Sequence, residues 1–282
     1  MEKLNYRRTF FIGLAFLSIC AFWQMYDYVI PLILQNKFHL NETFTGAIMA
    51  ADNILAVFLL PFFGTLSDKA NTRLGKRTPF IITGTCVAVL FLMLLPFADK
   101  NQNFIMFVAC LAVLLVAMGF YRSPAVALMP DLTPKPLRSK ANAVINLMGA
   151  IGGVYTLLLI RFLVKGGARP DYTAVFAGVA FLMAAAVILL VLTVKEKKIA
   201  AEIEKEEIQE EKLAGEAIAE NTKELPKPVK KSLYMILLSI FFWFAAYNAV
   251  TTAFSRYAVK VWGLEGGGFA DCLMVATVAA IF

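Results

Sequence analysis

Five stretches of this chain contain no charged side chain and are each about as long as a helix that crosses a lipid bilayer. They are residues 78–98, 101–121, 141–160, 172–194 and 232–255. A helix of about 20 residues crosses about 30 Å of hydrocarbon. Because unpaired backbone polar groups find no partners in lipid, each stretch is predicted to form a transmembrane helix.

Two further stretches, 9–35 and 43–66, are long enough to span a bilayer, although each contains one acid, Asp27 or Asp52. With 60% hydrophobic and 17% charged residues, the chain has too little polar surface for a soluble globule. We therefore predict an all-α polytopic membrane protein. An eighth helix begins near Asp271, and we expect the chain to be a fragment that stops inside this helix.

The residue types required for metal-dependent or nucleophilic catalysis are scarce. His39 is the one histidine in the sequence, and the four cysteines have no metal-ligand spacing. We expect no enzyme activity, metal site, structural disulfide or cofactor, apart from a coupling ion. The net charge of +7 comes mainly from bases in loops that orient the spans, so we expect no nucleic-acid partner. Bulky Trp23 and Tyr26 argue against a cleaved signal peptide, and we predict an uncleaved first helix.

Lysine and arginine residues concentrate in alternate short loops. Three precede the first span, four lie between the second and third spans, and three lie between the fourth and fifth. The loops after the first and third spans contain one each, Lys37 and Lys100. The positive-inside rule then places the N-terminus in the cytoplasm, and we expect the plasma membrane as the location. Arg161, Lys165 and Arg169, after the fifth span, oppose this assignment.

Residues 195–231 interrupt the apolar pattern with nine lysines and ten glutamates. Glutamate and lysine recur three and four positions apart, which favours a partly helical linker broken by Pro226 and Pro228. We predict a cytoplasmic linker, and a role in binding a partner stays open. This linker separates a six-helix bundle, 1–194, from the start of a second bundle, 232–282.

The charged segment between the second and third spans carries a recognisable pattern. It comprises Gly64, Asp68, Lys69, Arg73, Gly75, Lys76 and Arg77. These residues resemble the signature of the major facilitator superfamily, Gly-x-x-x-Asp-Arg/Lys followed by Arg-x-Gly-Arg/Lys-Arg. An aromatic pair that recurs in the first and seventh spans, Phe22-Trp23 and Phe242-Trp243, agrees with two parallel six-helix halves.

The spacing between Lys69 and Arg73 is longer than in the general signature. This longer spacing and the segments 79–81, 127–134 and 141–143, together with Arg138, resemble the branch of sucrose and disaccharide proton symporters and of glycoside-pentoside-hexuronide symporters. The resemblance implies a twelve-helix fold, of which this chain holds the first half and the start of the second. The missing C-terminal half would be needed for function.

The same charged segment predicts a gate at the cytoplasmic surface. Gly64 is expected to allow close helix packing, and Asp68 to accept hydrogen bonds from a helix terminus or from the arginines. Such a cluster can hold one conformation shut and break in the other. Asp131 and Arg138 are expected to form a second, sparser gate after the fourth span. Alternatively, the bases only set the topology.

Polar side chains within the spans indicate which helices face water. The candidate residues for binding solute and proton are Trp23, Tyr26, Asp27, Asp52, Asn53, Arg122, Asn142, Asn146, Tyr247 and Asn248. Because hydrocarbon penalises such groups, the first, second, fourth and fifth spans are expected to line a cavity, and the third and sixth to face lipid. Arg122 is expected near the cytoplasmic end of the fourth span.

Asp27 and Asp52 are expected at a similar depth, roughly 12 Å below the outer surface. Either acid is a candidate proton carrier, and the alternative is a structural acid bonded to a neighbouring hydroxyl or backbone group. Trp23 and Tyr26 share a helix face with Asp27, which suits a sugar ring, although aromatic residues also anchor helices at the interface. On the fifth span, a stripe predicts a cavity wall, a packing seam or both. The stripe consists of Asn142, Asn146, Gly149 and Gly153.

These features together predict a secondary transporter that moves a sugar or glycoside with a proton by alternating access. Sodium is the alternative coupling ion. The partners expected are a small-molecule solute and membrane lipid. Among transporters, the alternative is an exporter of drugs or lipids by cation antiport. A non-transporting sensor with this fold is a further alternative.

Overall fold

The computed structural model describes residues 4–166, 170–213, 227–265 and 267–280, and every regular element within these ranges is helical. The helices are α1 Tyr6–Asn36, α2 Glu42–Lys69, α3 Thr78–Lys100, α4 Phe104–Asp131, a 3₁₀ turn Lys135–Leu137, α5 Arg138–Leu163, α6 Thr173–Thr193, α7 Glu196–Leu213, α8 Lys227–Trp262 and α9 Phe269–Ala279. Arg169 and the centre of the predicted linker, 214–226, lie outside the described residues.

Seven of these helices are long and apolar enough to cross a membrane, namely α1 to α6 and α8. They correspond to the seven predicted spans, and the predicted all-α fold class is confirmed. The helix α9 is apolar but shorter, and it contains Asp271. Both α7 and the beginning of α8 lie within the predicted linker. The helix α7 agrees with the partly helical segment predicted there, whereas Pro228 lies in the first turn of α8 and does not break a helix.

Asparagine side chains mark the start of three of the spans. Asn5, Asn41 and Asn103 precede α1, α2 and α4, and each side-chain oxygen accepts a hydrogen bond from the backbone N–H three residues later. A side-chain acceptor at this position satisfies an N–H that has no partner within its own helix. The helix α3 differs, because Arg77 precedes it without making a side-chain cap.

Two helices continue beyond their charge-free runs, which corrects two expectations. Gly64, Asp68 and Lys69 lie inside α2, so the connection to α3 is only 70–77. Arg122 lies inside α4, nine residues before Asp131, and not near the end of the helix. A charge ends a charge-free run, but it does not end a helix when the bundle supplies partners for it.

The short connections make neighbouring spans antiparallel, so the bundle has two ends. We call the end that contains the 70–77 connection the Arg77 face, and the end that contains the α1–α2 connection the Lys37 face. Lys37 and Asp99 form a buried ion pair at the Lys37 face between the ends of α1 and α3. The Lys37 ammonium also lies 5.7 Å from the centre of the Tyr172 ring, at the start of α6.

The helix α1 lies at the centre of the bundle and packs against α5 and α6. Glycines allow α5 to approach it closely: a Cβ on Gly152 would overlap the backbone carbonyl of Leu17, and one on Gly149 would lie 2.8 Å from the Phe16 ring. Gly149 of the predicted stripe and its neighbour at 152, which the stripe did not include, therefore form a packing seam. Asn142 and Asn146, on the same stripe, are exposed instead.

The helices α8 and α9 contact the bundle at the Lys37 face. Residues 229–250 of α8 are exposed, whereas Ser255 and Ala258 near its end are buried. The ring of Phe269 in α9 is buried 6.4 Å from that of Tyr28 in α1. Ion pairs between Lys260 and Glu42 (3.5 Å) and between Arg161 and Asp271 (2.8 Å) join these helices to the bundle.

Candidate functional site

One turn of α1 presents two aromatic rings and an acid to the interior. The rings of Trp23 and Tyr26 meet edge to face with their centres 5.3 Å apart, and the Tyr26 side chain is fully buried. Phe22 stacks on Tyr26 at 6.1 Å and meets the Trp23 ring edge to face at 5.1 Å. These contacts hold the aromatic pair in place next to Asp27.

The helix α4 brings Arg122 to this turn. The Arg122 guanidinium lies 5.4 Å from the centre of the Trp23 ring, which is a cation–π geometry. The preceding residue fixes the two helices against each other, because the Tyr121 hydroxyl donates a 2.9 Å hydrogen bond to the backbone carbonyl of Ala15. Arg122 is therefore held at a defined depth in the bundle.

Two carboxylates lie close enough to Arg122 for their charges to interact with it. These are Asp27 on α1 and Asp52 on α2, which also lie within electrostatic range of each other. Both are partly buried, and the Asn53 amide donates to Asp52 at 2.9 Å. Three helices thus contribute one cation and two acids whose charges interact. We call Trp23, Tyr26, Asp27, Asp52, Asn53 and Arg122 the central polar group.

Two hydrogen-bond donors in this group have no acceptor among the described residues. The Trp23 indole N–H and the Tyr26 hydroxyl are both buried and unpaired. A buried donor without a partner costs about 1–3 kcal/mol, so native proteins nearly always pair one. The central polar group can therefore donate hydrogen bonds to a bound molecule.

The remaining candidate residues lie outside the central polar group. Asn142 and Asn146 are exposed on the first turns of α5. On α8, the Asn248 amide donates to the carbonyl of Phe244 in its own helix at 2.9 Å. Tyr247, on the same helix, is exposed.

A second cluster lies at the Arg77 face, around a buried arginine. The Arg77 side chain pairs with Asp68 of α2 and donates from Nε to Asp131 of α4 at 2.8 Å. It also donates to the hydroxyl of Ser67. One guanidinium therefore bridges the ends of two helices from the start of a third. We call Ser67, Asp68, Arg77, Asp131 and Glu196 the Arg77 cluster.

Glu196, the first residue of α7, completes this cluster from a distant part of the chain. Its carboxylate accepts hydrogen bonds from the backbone N–H groups of Lys76, Arg77 and Thr78 at 2.7 to 2.9 Å, and from the Thr78 hydroxyl at 2.7 Å. The sequence placed it in a charged linker, where nothing distinguishes it from nine other glutamates. The only signal was its position as the first acid after the sixth span.

The other predicted gate residues have different surroundings. The Arg138 guanidinium donates to the carbonyl of Thr133 at 3.2 Å, whereas Asp131 pairs with Arg77, so these two residues do not form the separate second gate that was expected. Gly64 allows close packing, since a Cβ there would lie 3.1 Å from the Ser123 hydroxyl. The remaining bases of the signature are exposed: Lys69, Arg73 and Lys76.

A polar group that the sequence did not indicate lies at the Lys37 face. Besides the ion pair of Lys37 with Asp99, Lys100 lies 3.5 Å from Asp171. Hydrogen bonds from the hydroxyl and backbone N–H of Thr173 hold the pKa of the Asp171 carboxyl below its usual value. These contacts tie the ends of α1 and α3 to the start of α6.

The family model described as the Major Facilitator Superfamily matches residues 12–282. The chain is 25% identical over 134 residues to the sucrose transport protein SUC3 of Arabidopsis thaliana, covering 41% of this chain and 23% of that protein.

Two bacterial relatives match a longer part of the chain. The probable nitrate transporter NarT of Staphylococcus epidermidis is 26% identical over 69% of this chain and 48% of its own length. The proline/betaine transporter of Escherichia coli K12 is 28% identical over 67% of this chain and 36% of its own length. The chain therefore spans less than half the length of each of these relatives.

Proposed function

Because the chain belongs to the Major Facilitator Superfamily, we propose that it works in a secondary active transporter that carries a sugar or glycoside with protons by alternating access. This family consists of transporters and not of enzymes, so no catalytic residue is assigned. Sodium is the alternative coupling ion, and the plasma membrane is the proposed location.

The central polar group is the observation that carries this proposal. Each charged side chain at the centre of a transmembrane helix costs about 2.5–3.5 kcal/mol on insertion scales. Asp27, Asp52 and Arg122 therefore place three costly residues at one location, on three different helices. Charged side chains at this depth are typical of solute and ion pathways.

The chemistry of the group suits a polyhydroxylated solute. Asp27 and Asp52 accept hydrogen bonds from hydroxyl groups, and the unpaired donors of Trp23 and Tyr26 offer bonds to hydroxyl oxygens. Protonation of either acid changes the charge next to Arg122, which links solute binding to proton binding. The sucrose transport protein among the relatives supports this choice of solute.

The position of Arg122 limits how Trp23 can contact a sugar. One face of the indole ring is covered by the guanidinium, 5.4 Å from the ring centre. Stacking on a sugar ring, as the sequence suggested, then requires the opposite face. The indole N–H contributes through the edge of the ring in either case.

A second candidate solute is a small anion or a zwitterion. Arg122 and the two unpaired donors provide a guanidinium, an N–H and an O–H to a carboxylate or a similar anion. Two relatives are named for nitrate and for proline and betaine. The polar character of the group disfavours the other alternative, an exporter of drugs or lipids.

The Arg77 cluster is proposed as a gate on the cytoplasmic side. Arg77 joins α2, α3 and α4 through paired charges, so the cluster resists a separation of these helix ends. Substitution of Asp68 by asparagine is expected to weaken the cluster and favour the conformation open to the cytoplasm. Cysteine probes on the Arg77 face would then react faster.

Uptake by the complete protein in proteoliposomes tests the proposed solute. Labelled sugars and glycosides are compared with proline, betaine and nitrate, each with and without an inward proton gradient and with sodium replaced by potassium. We expect saturable sugar uptake that the proton gradient accelerates. Uptake of nitrate or betaine alone would favour the second candidate, and uptake of none of these solutes would contradict both.

A further inference from the structure

The linker helix α7 is joined to the bundle through a buried carboxylate. Glu196 is 3% exposed, and its two oxygens accept four hydrogen bonds. Three of the donors are consecutive backbone N–H groups, those of Lys76, Arg77 and Thr78. The hydrogen-bonding capacity of this carboxylate is used, which offsets the cost of burying its charge.

These donors belong to the start of α3, which has no cap from its own segment. Arg77 is the residue before the helix and provides no side-chain acceptor. The unpaired N–H groups at a helix start carry a partial positive charge that favours an anion. Glu196 therefore caps α3 from a position 118 residues further along the chain, as measured from Thr78.

The loop before α3 is shaped around the same carboxylate. Gly75 has a φ of 125°, which side-chain-bearing residues rarely adopt. A Cβ at this position would overlap the carboxyl group of Glu196. The backbone of 75–78 thus requires both a glycine and an acid from α7.

Apolar contacts hold the rest of the first turns of α7 against the bundle. Ile203 is 6% exposed, and Ile199 and Ala200 pack against the core. The opposite side of the helix is solvated, where Lys198 and Glu202 form an exposed ion pair at 3.8 Å. The first turns of α7, 196–205, are therefore docked along one face, next to the Arg77 cluster.

We propose that Glu196 is a positioning residue that makes the linker helix part of the gate. It fixes the backbone of Arg77, while Asp68 and Asp131 bind the side chain of the same residue. Release of Glu196 frees the start of α3 and removes the geometry in which Arg77 reaches both acids. Undocking of α7 and opening of the gate are then one event. This inference rests on the proposed role of the Arg77 cluster as a gate.

The test uses the complete protein with its four native cysteines replaced and a probe cysteine at Asn146, which is exposed on α5. Glu196→Gln keeps the shape of the side chain but presents an amide donor to the N–H groups of α3. We expect it to raise the alkylation rate of the probe about tenfold, within the usual range of coupling between sites. Glu202→Gln, an exposed neighbour on the same helix, is the control and should leave the rate unchanged.

A double variant that combines Glu196→Gln with Asp68→Asn distinguishes a positioning role of Glu196 from simple structural support. If both residues act through Arg77, the double variant should react no faster than the faster single variant. Glu196→Asp keeps the charge on a shorter side chain and should give an intermediate rate, even where Glu196→Ala fails to fold.

Three results would overturn the inference. The first is a normal rate in a folded Glu196→Gln protein while Asp68→Asn reacts faster, which leaves the gate in place. The second is an effect of Glu196→Gln that multiplies with that of Asp68→Asn. The third is a normal rate in Asp68→Asn itself, which refutes the proposed gate and with it the inference.

Discussion

Arg122 lies over the ring of Trp23 and within electrostatic range of two acids, in the middle of a helix that crosses the membrane. A desolvated cation–π contact contributes about 2 kcal/mol. Each buried charge costs about 2.5–3.5 kcal/mol, and the attraction between Arg122 and the two acids offsets part of that cost. Charged side chains inside membrane-spanning helices are typical of solute and ion pathways, which agrees with a role for these residues in transport.

Asp27 is the acid that its own helix places beside the aromatic pair. If it carries the proton, Asp27→Asn should abolish acceleration of uptake by a proton gradient, because an amide neither gains nor loses a proton at physiological pH. Exchange of labelled for unlabelled solute should persist. Asp171→Asn, an acid outside the spans, is the control. Gradient-driven uptake that persists in Asp27→Asn would exclude Asp27 as the carrier.

Charge-free length predicts helices well, but it does not place charges within them. The spans were found because their apolar length is set by the bilayer, and the similar depth expected for Asp27 and Asp52 rests on helix geometry alone. Arg122 was misplaced because its partner, the Trp23 ring, lies on another helix. Glu196 was missed for a similar reason, since its donors lie 118 to 120 residues away.

The seam between α1 and α5 is the element contact that depends most on glycine. Gly152→Ala places a methyl group against the backbone carbonyl of Leu17, which cannot move without a shift of α1. We expect a loss of about 1–3 kcal/mol of stability, typical of overpacking, measured as a lower unfolding temperature in detergent.

Gly153→Ala is the matched control for this seam. Its Cβ would lie 3.4 Å from the Gln24 side chain, which can move. Equal unfolding temperatures for the two variants would show that the close approach of α1 and α5 is not required.

At the scale of the molecule, ionic contacts join helices at both ends of the bundle. The Arg77 cluster joins α2, α3, α4 and α7 at one end of the bundle. Contacts of α8 and α9 with α1 and α5 lie at the other end, the Lys37 face. The central polar group lies between these two ends, where alternating access requires a solute site.

Counterflow of labelled solute in proteoliposomes tests this account most directly, because it requires a solute site that opens to both sides but no gradient. Arg122→Leu removes the cation beside Asp27 and Asp52 and leaves both acids without a counter-charge, so it should unfold at a lower temperature than the unmodified protein, and counterflow by the folded variant should fall at least about tenfold. Arg7→Gln, on the exposed first turn of α1, should retain full counterflow. Normal counterflow in a folded Arg122→Leu protein would contradict the assignment of the central polar group as the solute site.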